Sequence, residues 1–257
     1  MAVGGVDPSG GAGLAVDRSA IEAAGMLCQT FVTAETDQDD GEVRSLGARP
    51  GPLWRDECQR SVQASAPSAV KFGLLPGRDA LLSAIALLDF LLGSQPGLPV
   101  VLDPVLASSS GFDFLTVRDY PLLLDLCRRP LILTPNLPEL AALTGSDAEQ
   151  LSADLPARLG AAQQLLNLGL RAVVVKDGHG YGQTLCDWLC VGAGFGGGAP
   201  QPLSRRRVQT ASGEGSIRGT GCRFASHMAA DLGQGHSLSG AAIRAGDWVS
   251  EEISKGK

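Results

Sequence analysis

The chain predicts a three-layer α/β/α sandwich around a mostly parallel central sheet, with a small antiparallel strand extension. Three observations carry this expectation. Short apolar runs alternate with amphipathic stretches as far as Lys176, the pattern of parallel strands crossed over by helices. Residues able to do chemistry fall where those runs end, the edge at which open parallel sheets bind ligands. After Lys176 the rhythm changes, and two further strand-like runs flank a glycine-rich stretch.

The elements follow in order. Met1-Ala2-Val3 ahead of Gly4-Gly5 leaves room for only a stubby first strand, or one whose upstream half is absent. Apolar runs at 28–34, 69–75, 99–103, 131–134 and 172–176 suit strands buried on both faces. Between them, 12–25, 53–64, 78–92, 117–128, 137–144 and 155–168 carry helical periodicity. Runs 181–191 and 203–210 read as a hairpin joined by 192–200, and two last helices cover about 221–232 and 238–254. No internal repeat or composition break divides the chain, so one domain over 1–257 is expected.

Bulk composition narrows the function. The chain has 257 residues, 44% hydrophobic and 19% charged, with a formal net charge of −6. That sign argues against a general nucleic-acid or anionic-membrane surface. A polyphosphate ligand would therefore need local donors, a few basic side chains and a metal ion. The six cysteines (Cys28, Cys58, Cys127, Cys186, Cys190, Cys222) are scattered, without a CxxC pair or a signal peptide. A reduced, cytoplasmic setting is expected. Cys186 and Cys190 lack neighbouring ligands to complete a metal site, so packing is expected of them. No apolar run approaches the roughly 20 residues of a membrane span.

The most informative stretch is Arg218-Gly219-Thr220-Gly221-Cys222, which opens into the helix-like run 224–230. Two glycines bare the backbone amides, and a helix start adds unpaired donors and a positive dipole end. Such a loop suits a phosphate. It also places Cys222 where the dipole would favour thiolate and lower its pKa. Taken alone, the tetrapeptide serves equally as a tight turn before an ordinary helix with a buried thiol. Gly4-Gly5-Val6-Asp7-Pro8-Ser9-Gly10-Gly11-Ala12-Gly13 likewise joins a strand to a helix, without the Gly-Lys-Ser/Thr of a P-loop. Asp17 follows one turn into that helix, where a surface acid would be the ordinary expectation. Gly192 to Gly197 spell a dinucleotide fingerprint, but Pro200, Pro202 and Arg205-Arg206-Arg207 follow where a helix should begin. A flexible loop and a solvated strand end are expected there.

Taken together, these segments resemble the hydroxymethylpyrimidine/phosphomethylpyrimidine kinases of the ribokinase-like superfamily. The resemblance rests on seven stretches in one order. They are residues 5–17, Val32-Thr33-Ala34 with Gln38, Lys71-Phe72-Gly73-Leu74-Leu75, and Asp103-Pro104-Val105-Leu106. Thr134-Pro135-Asn136-Leu137-Pro138-Glu139, Val174-Val175-Lys176-Asp177-Gly178-His179 and Gly219-Thr220-Gly221-Cys222 complete the set.

The resemblance implies ATP-dependent phosphorylation of 4-amino-5-hydroxymethyl-2-methylpyrimidine and then of its monophosphate, within thiamine biosynthesis. It implies that Gln38 and Asp17 bond the heterocycle while Gly5, Leu74 and Val105 pack it. Lys176 and Asn136 would meet the nucleotide, and Glu139 with Asp103 would hold Mg2+. The amides of Gly219, Thr220 and Gly221 would stabilise the phosphoryl group in flight, with Cys222 as the base. A homodimer is the family-level expectation.

Several positions depart from the family pattern. Glu35, Asp37, Asp39 and Asp40 crowd acid around Gln38, and must point outward if an anionic substrate is to bind. Asp177 stands where glycine is usual, Ile217-Arg218 replaces a Thr-His pair, and Arg223 replaces a Thr. These changes bear on the second phosphorylation and on nucleotide preference. Of the histidines, His227 is expected to pack, His236 to be exposed and His179 to structure a loop or touch substrate. Two rival functions remain: a pyridoxal-type kinase, and a non-catalytic pyrimidine-binding regulatory protein.

Overall fold

The computed structural model describes residues 1–38, 42–108, 110–177, 184–206 and 217–255. Asp39, Asp40, His179 and Arg207, with the strand residues expected at 181–183 and 207–210, lie outside them. A nine-stranded sheet organises the rest. In chain order the strands are β1 (Ala2–Val6), β2 (Thr30–Gln38), β3 (Val43–Ala48), β4 (Val70–Phe72), β5 (Val100–Leu102), β6 (Ile132–Leu133), β7 (Ala172–Val175), β8 (Thr184–Val191) and β9 (Gln201–Arg206). Across the sheet they run β3-β2-β1-β4-β5-β6-β7-β8-β9. From β2 to β7 every pairing is parallel, while β3, β8 and β9 join antiparallel.

The helices are α1 (Gly13–Ala23), α2 (Gly51–Ala64), α3 (Gly77–Ser94), α4 (Tyr120–Leu126), α5 (Leu137–Thr144), α6 (Ala148–Ala153), α7 (Leu155–Leu166), α8 (Thr220–Gly233) and α9 (Leu238–Lys255). Alternation along the strands sorts them into two layers, because successive side chains leave opposite faces of a sheet. Val100, Leu102, Leu133, Val173 and Val175 pack into a core with α2 to α7. Val101, Ile132, Ala172 and Val174 turn the other way, against α8 and α9. Next to them α1 packs on α8, with Leu14, Ile21 and Ala230 in one cluster. The expected sandwich is therefore present, with helices on both faces.

Differences from the sequence reading have local causes. The first strand continues through Gly4 and Gly5 to Val6 and pairs with β2 and β4. Strand β3 was not foreseen, since Val43–Ala48 offers a single fully buried residue. It gives the sheet a second antiparallel edge. The centre strands are shorter than the apolar runs, because the chain leaves the ladder at Gly73 and Asp103 to build the cleft. The Gly192 loop is shaped by a 3-10 turn over Ala193–Phe195, and a Cβ on Gly192 would sit 2.6 Å from Leu170 O. Arg205 is no solvated strand end: it pairs with the fully buried Asp187, which also accepts from Asp177 N at 2.8 Å.

Gly13 fixes how the first glycine loop lies on the sheet. Its φ is +66°, and a Cβ there would stand 2.5 Å from Gly5 O. Both strain and backbone collision oppose any side chain. Gly13→Ala is expected to cost about 1–3 kcal/mol of stability by urea denaturation; an unchanged midpoint would mean that the loop is not pressed onto β1.

Candidate active site

The C-terminal ends of the parallel strands and the start of α8 enclose a cavity of about 430 Å3. Val6 ends β1 and Asp7 follows it, Gln38 ends β2, and Leu74, Val105, Asn136 and Lys176 follow β4, β5, β6 and β7. Gly219, Thr220, Gly221 and Cys222 close it from the opposite side. Gly219 is the N-cap of α8 at φ +71°, and a Cβ on it would meet Gly11 O at 2.5 Å. The two glycine loops are thus in direct backbone contact. Arg223 N–H already bonds Gly219 C=O at 2.9 Å, so the amides of Thr220 to Cys222 precede the helix's own ladder.

Beneath this loop lies a buried ion pair. Lys71 Nζ donates to Asp17 Oδ1 at 2.7 Å, and both side chains are 1% exposed. Ser226 Oγ, one turn along α8 from Cys222, donates to the same oxygen at 2.8 Å. Burial works against the Lys71 charge, yet Asp17, Cys222 and Asp103 outweigh it and hold the ammonium above its usual range. Burial pushes Asp17 up, and Lys71 opposes it. The ammonium stays charged because the Asp17 and Asp103 carboxylates flank it. Among the described residues, the buried Asp17 Oδ2 finds no hydrogen-bond partner.

A second pair sits beside it. Lys176 Nζ donates to Asp103 Oδ1 at 2.9 Å, and Thr134 Oγ1 lies 3.4 Å from that oxygen. Burial would raise Asp103, but Lys176 and Lys71 hold it below its usual range. Gly221 gives this pair room, since a Cβ there would lie 3.0 Å from Lys176 Nζ and 3.4 Å from Asp103 Oδ2. The Asn136 and Glu139 pair is also a capping box on α5. Asn136 Oδ1 accepts from Glu139 N, and Glu139 Oε2 accepts from Asn136 N, both at 2.8 Å. Burial raises the Glu139 carboxyl to about 7, helped by Asp103 and opposed by Lys176.

All thirteen residues singled out from the sequence line the one cavity: Gly5, Asp17, Gln38, Leu74, Asp103, Val105, Asn136, Glu139, Lys176, Gly219, Thr220, Gly221 and Cys222. One electrostatic expectation fails. Burial raises the Cys222 thiol to about 11, with Asp17 and Asp103 adding to it, against the pull of Lys71 and the Gly13 amide. The helix dipole does not win there, so the resting group is a thiol. Asp17 is no surface acid. Glu35 and Asp37 are exposed and lie outside the cavity lining, so the described part of the acidic cluster faces away. Asp177 also turns from the cleft, to Arg158 Nη1 at 3.6 Å. His227 packs against Trp248 with ring centroids 5.1 Å apart, and His236 is exposed.

Thr36, Ser108 and Phe114, which the sequence did not single out, line the same cavity, as do Lys71 and Arg218, which it met only as motif or departure residues without a site role. A lysine in the middle of an otherwise apolar strand run was the available signal for Lys71, since such a residue needs a buried partner. Phe114 belongs to a loop whose path no periodicity reveals. Among the described residues, no helix is long and apolar enough to cross a membrane.

The Glu139 shift has a sign that can be tested. Its folded value, about 7, exceeds the usual 4.5, so the native state holds this proton more tightly than the unfolded chain. The associated stability is present below 4.5 and lost as pH rises through 7. Glutamine at this position keeps the capping bond without the charge. Glu139→Gln should therefore melt above the parent chain at pH 8, with the gap closing by pH 5. Equal melting temperatures at pH 8 would contradict the shift.

The architecture and the cleft have close counterparts. The Bacillus subtilis pyridoxal kinase, solved as an ADP complex, superposes with TM-score 0.82 over 99% of this chain and 90% of that one, at 22% identity. The phosphomethylpyrimidine kinase of Clostridium difficile gives 0.76 over 98% of both chains, also at 22% identity. These likenesses establish the shared fold. In sequence, the chain is 28% identical over 253 residues to a thiamine biosynthesis multifunctional protein of Corynebacterium efficiens, covering 98% of this chain and about a third, 32%, of that protein. It is also 28% identical over 259 residues to the hydroxymethylpyrimidine/phosphomethylpyrimidine kinase of Staphylococcus aureus, covering 98% and 87% respectively. The sequence pattern of one family, described as phosphomethylpyrimidine kinase, matches residues 7–257. The match runs from within the first glycine loop through both last helices and takes in all of the cleft lining but Gly5 and Val6, and the chain belongs to the phosphomethylpyrimidine kinase family.

Proposed function

We propose that the chain is a single-domain kinase that transfers the γ-phosphoryl group of ATP to 4-amino-5-hydroxymethyl-2-methylpyrimidine, and then to the resulting monophosphate. One observation carries the reading: the helix-start loop Gly219 to Cys222, its thiol and two buried ammonium groups converge on a cavity that Gln38 also lines. Gln38 offers both a donor and an acceptor to an aminopyrimidine edge. Gly5, Leu74 and Val105 supply the flat apolar contact, and the open oxygen of Asp17 accepts from the same ring. A small apolar slot with few polar anchors is the usual form of such a site.

On the nucleotide side, Lys176 and Asn136 face the phosphates. Mg2+ fits here on a physical ground: the Glu139 and Asp103 carboxyls line the cleft together, and burial raises Glu139 to about 7 with Asp103 adding to it. The two carboxylates would hold the ion sparsely, as magnesium prefers when phosphates complete its shell. When bound, it would neutralise charge on the phosphate oxygens. The amides of Gly219 to Cys222 then meet the charge that develops on the phosphoryl oxygens.

Cys222 takes the hydroxyl proton of the acceptor. With the thiol near 11, it must lose its own proton before it can act, and Lys71 stands ready to stabilise the thiolate. Positioning and charge stabilisation dominate this reaction class, so the base is one contributor among several. A homodimer remains part of the proposal and is checked by light scattering.

Two substitutions separate the roles. Cys222→Ala is expected to lower kcat for the alcohol about 100-fold or more with little change in KM, as loss of a general base does. Gln38→Ala should instead raise KM about 10-fold or more by stripping polar contacts from the ring; an unaltered KM would show that the pyrimidine binds elsewhere. Turnover of the pyrimidine alcohol and of pyridoxal, side by side, decides between this reading and the pyridoxal kinases that share the fold at TM-score 0.82. Binding of the pyrimidine without ATP consumption would favour a regulatory protein.

A further inference from the structure

Arg218 has no role in the scheme above, yet it lines the cavity between the anion-binding loop and the substrate wall. Its Nη1 donates to Ser9 Oγ at 3.0 Å and its Nη2 to Asp7 Oδ2 at 3.3 Å. Gly11 provides its seat, since a Cβ there would lie 3.4 Å from Nη1. Asp7 in turn is bonded by Gln38, so the guanidinium belongs to the acceptor side of the cleft.

We propose that Arg218 is the specificity residue for an acceptor that already carries a phosphate. This rests on the kinase reading of the same site. The two phosphorylations ask for different things. In the first, a neutral hydroxyl attacks: its oxygen bonds to the γ-phosphorus, its proton leaves to Cys222, and ADP departs with the electron pair of the broken P–O bond. In the second, an oxygen of the monophosphate forms the new P–O bond and ADP leaves in the same way. That oxygen is already ionised, so no proton need be removed. The second acceptor brings about 1.5 to 2 negative charges instead. It therefore needs positive charge more than it needs a base.

The cavity's cations are unequal in their ability to supply it. Lys71 is locked to Asp17 with both side chains 1% exposed, and Lys176 is held by Asp103, which is 4% exposed. Arg218 is 30% exposed, and its longer contact is to Asp7. Asp7 keeps the Ser9 amide at 2.9 Å and the Ser9 hydroxyl at 2.7 Å whether or not the guanidinium stays. Burial would raise this carboxyl, but those bonds, with Gln38 and Arg218, hold it below its usual range. Turning toward a phosphate would leave Asp7 with both of its Ser9 bonds. A planar fork matches phosphate oxygens bidentately, which a lysine cannot do.

The test compares the full chain with Arg218→Gln and Arg218→Lys, using MgATP with the pyrimidine alcohol and with its monophosphate. The ratio of kcat/KM for monophosphate to that for alcohol should fall about 10- to 100-fold in Arg218→Gln. Arg218→Lys, which keeps the charge but loses the fork, should fall between the two. Monophosphate affinity measured by calorimetry without nucleotide should weaken in the same order. If both substrates suffer alike, or neither does, Arg218 only latches the two loops and the proposal is overturned. Should the parent chain phosphorylate neither substrate, the kinase reading fails. Calorimetry still decides this inference in that case, because equal monophosphate affinity in parent and Arg218→Gln would overturn it separately.

Discussion

The Asp17–Lys71 pair is the constraint on which the cleft depends. It joins three elements far apart in the sequence: one oxygen of Asp17 on α1 accepts from Lys71 on β4 at 2.7 Å and from Ser226 on α8 at 2.8 Å. Taking two charges out of water is expensive, and a buried pair seldom stabilises a fold better than well-packed apolar residues would. Its value here is positional. The ammonium lies below the start of α8 and lends its charge to Cys222, while the open oxygen of Asp17 borders the pocket. Removing either partner would strand the other in an apolar interior.

The cleft shows the same economy elsewhere. Lys176 and Asp103 neutralise each other until a more strongly charged ligand competes for the ammonium. Arg218 is parked on Asp7 and Ser9. Lys176 and Arg218 therefore wait in partnerships that an incoming phosphate would exchange for another, while Lys71 stays with Asp17. Such an arrangement keeps the empty site electrostatically tolerable, and it keeps donors oriented before the reaction begins.

Much of this was legible in the sequence, because the fold uses local signals. Continuous apolar runs mark the centre strands, glycines mark the two loops in backbone contact, and Asn136 with Glu139 spells a helix start. The family resemblance then brought thirteen scattered residues to one place, and they line one cavity. What escaped depended on three-dimensional surroundings. The thiol of Cys222 was read from a helix dipole alone, whereas burial beside Asp17 and Asp103 reverses the sign. Asp17 looks like a surface acid until its lysine partner, 54 residues away, is placed. Strand β3 and the six-residue α6 are too short or too polar to announce themselves.

Glu139 serves two structures at once. One of its oxygens holds the amide of Asn136, the first residue of the helix cap, and its side chain borders the cleft. Any cation drawn to this carboxylate will polarise or lengthen that bond. The backbone nitrogen at position 136 is thus wired to the occupancy of the pocket. A single isotopic label there would let the protein's own frame announce when its cleft is filled.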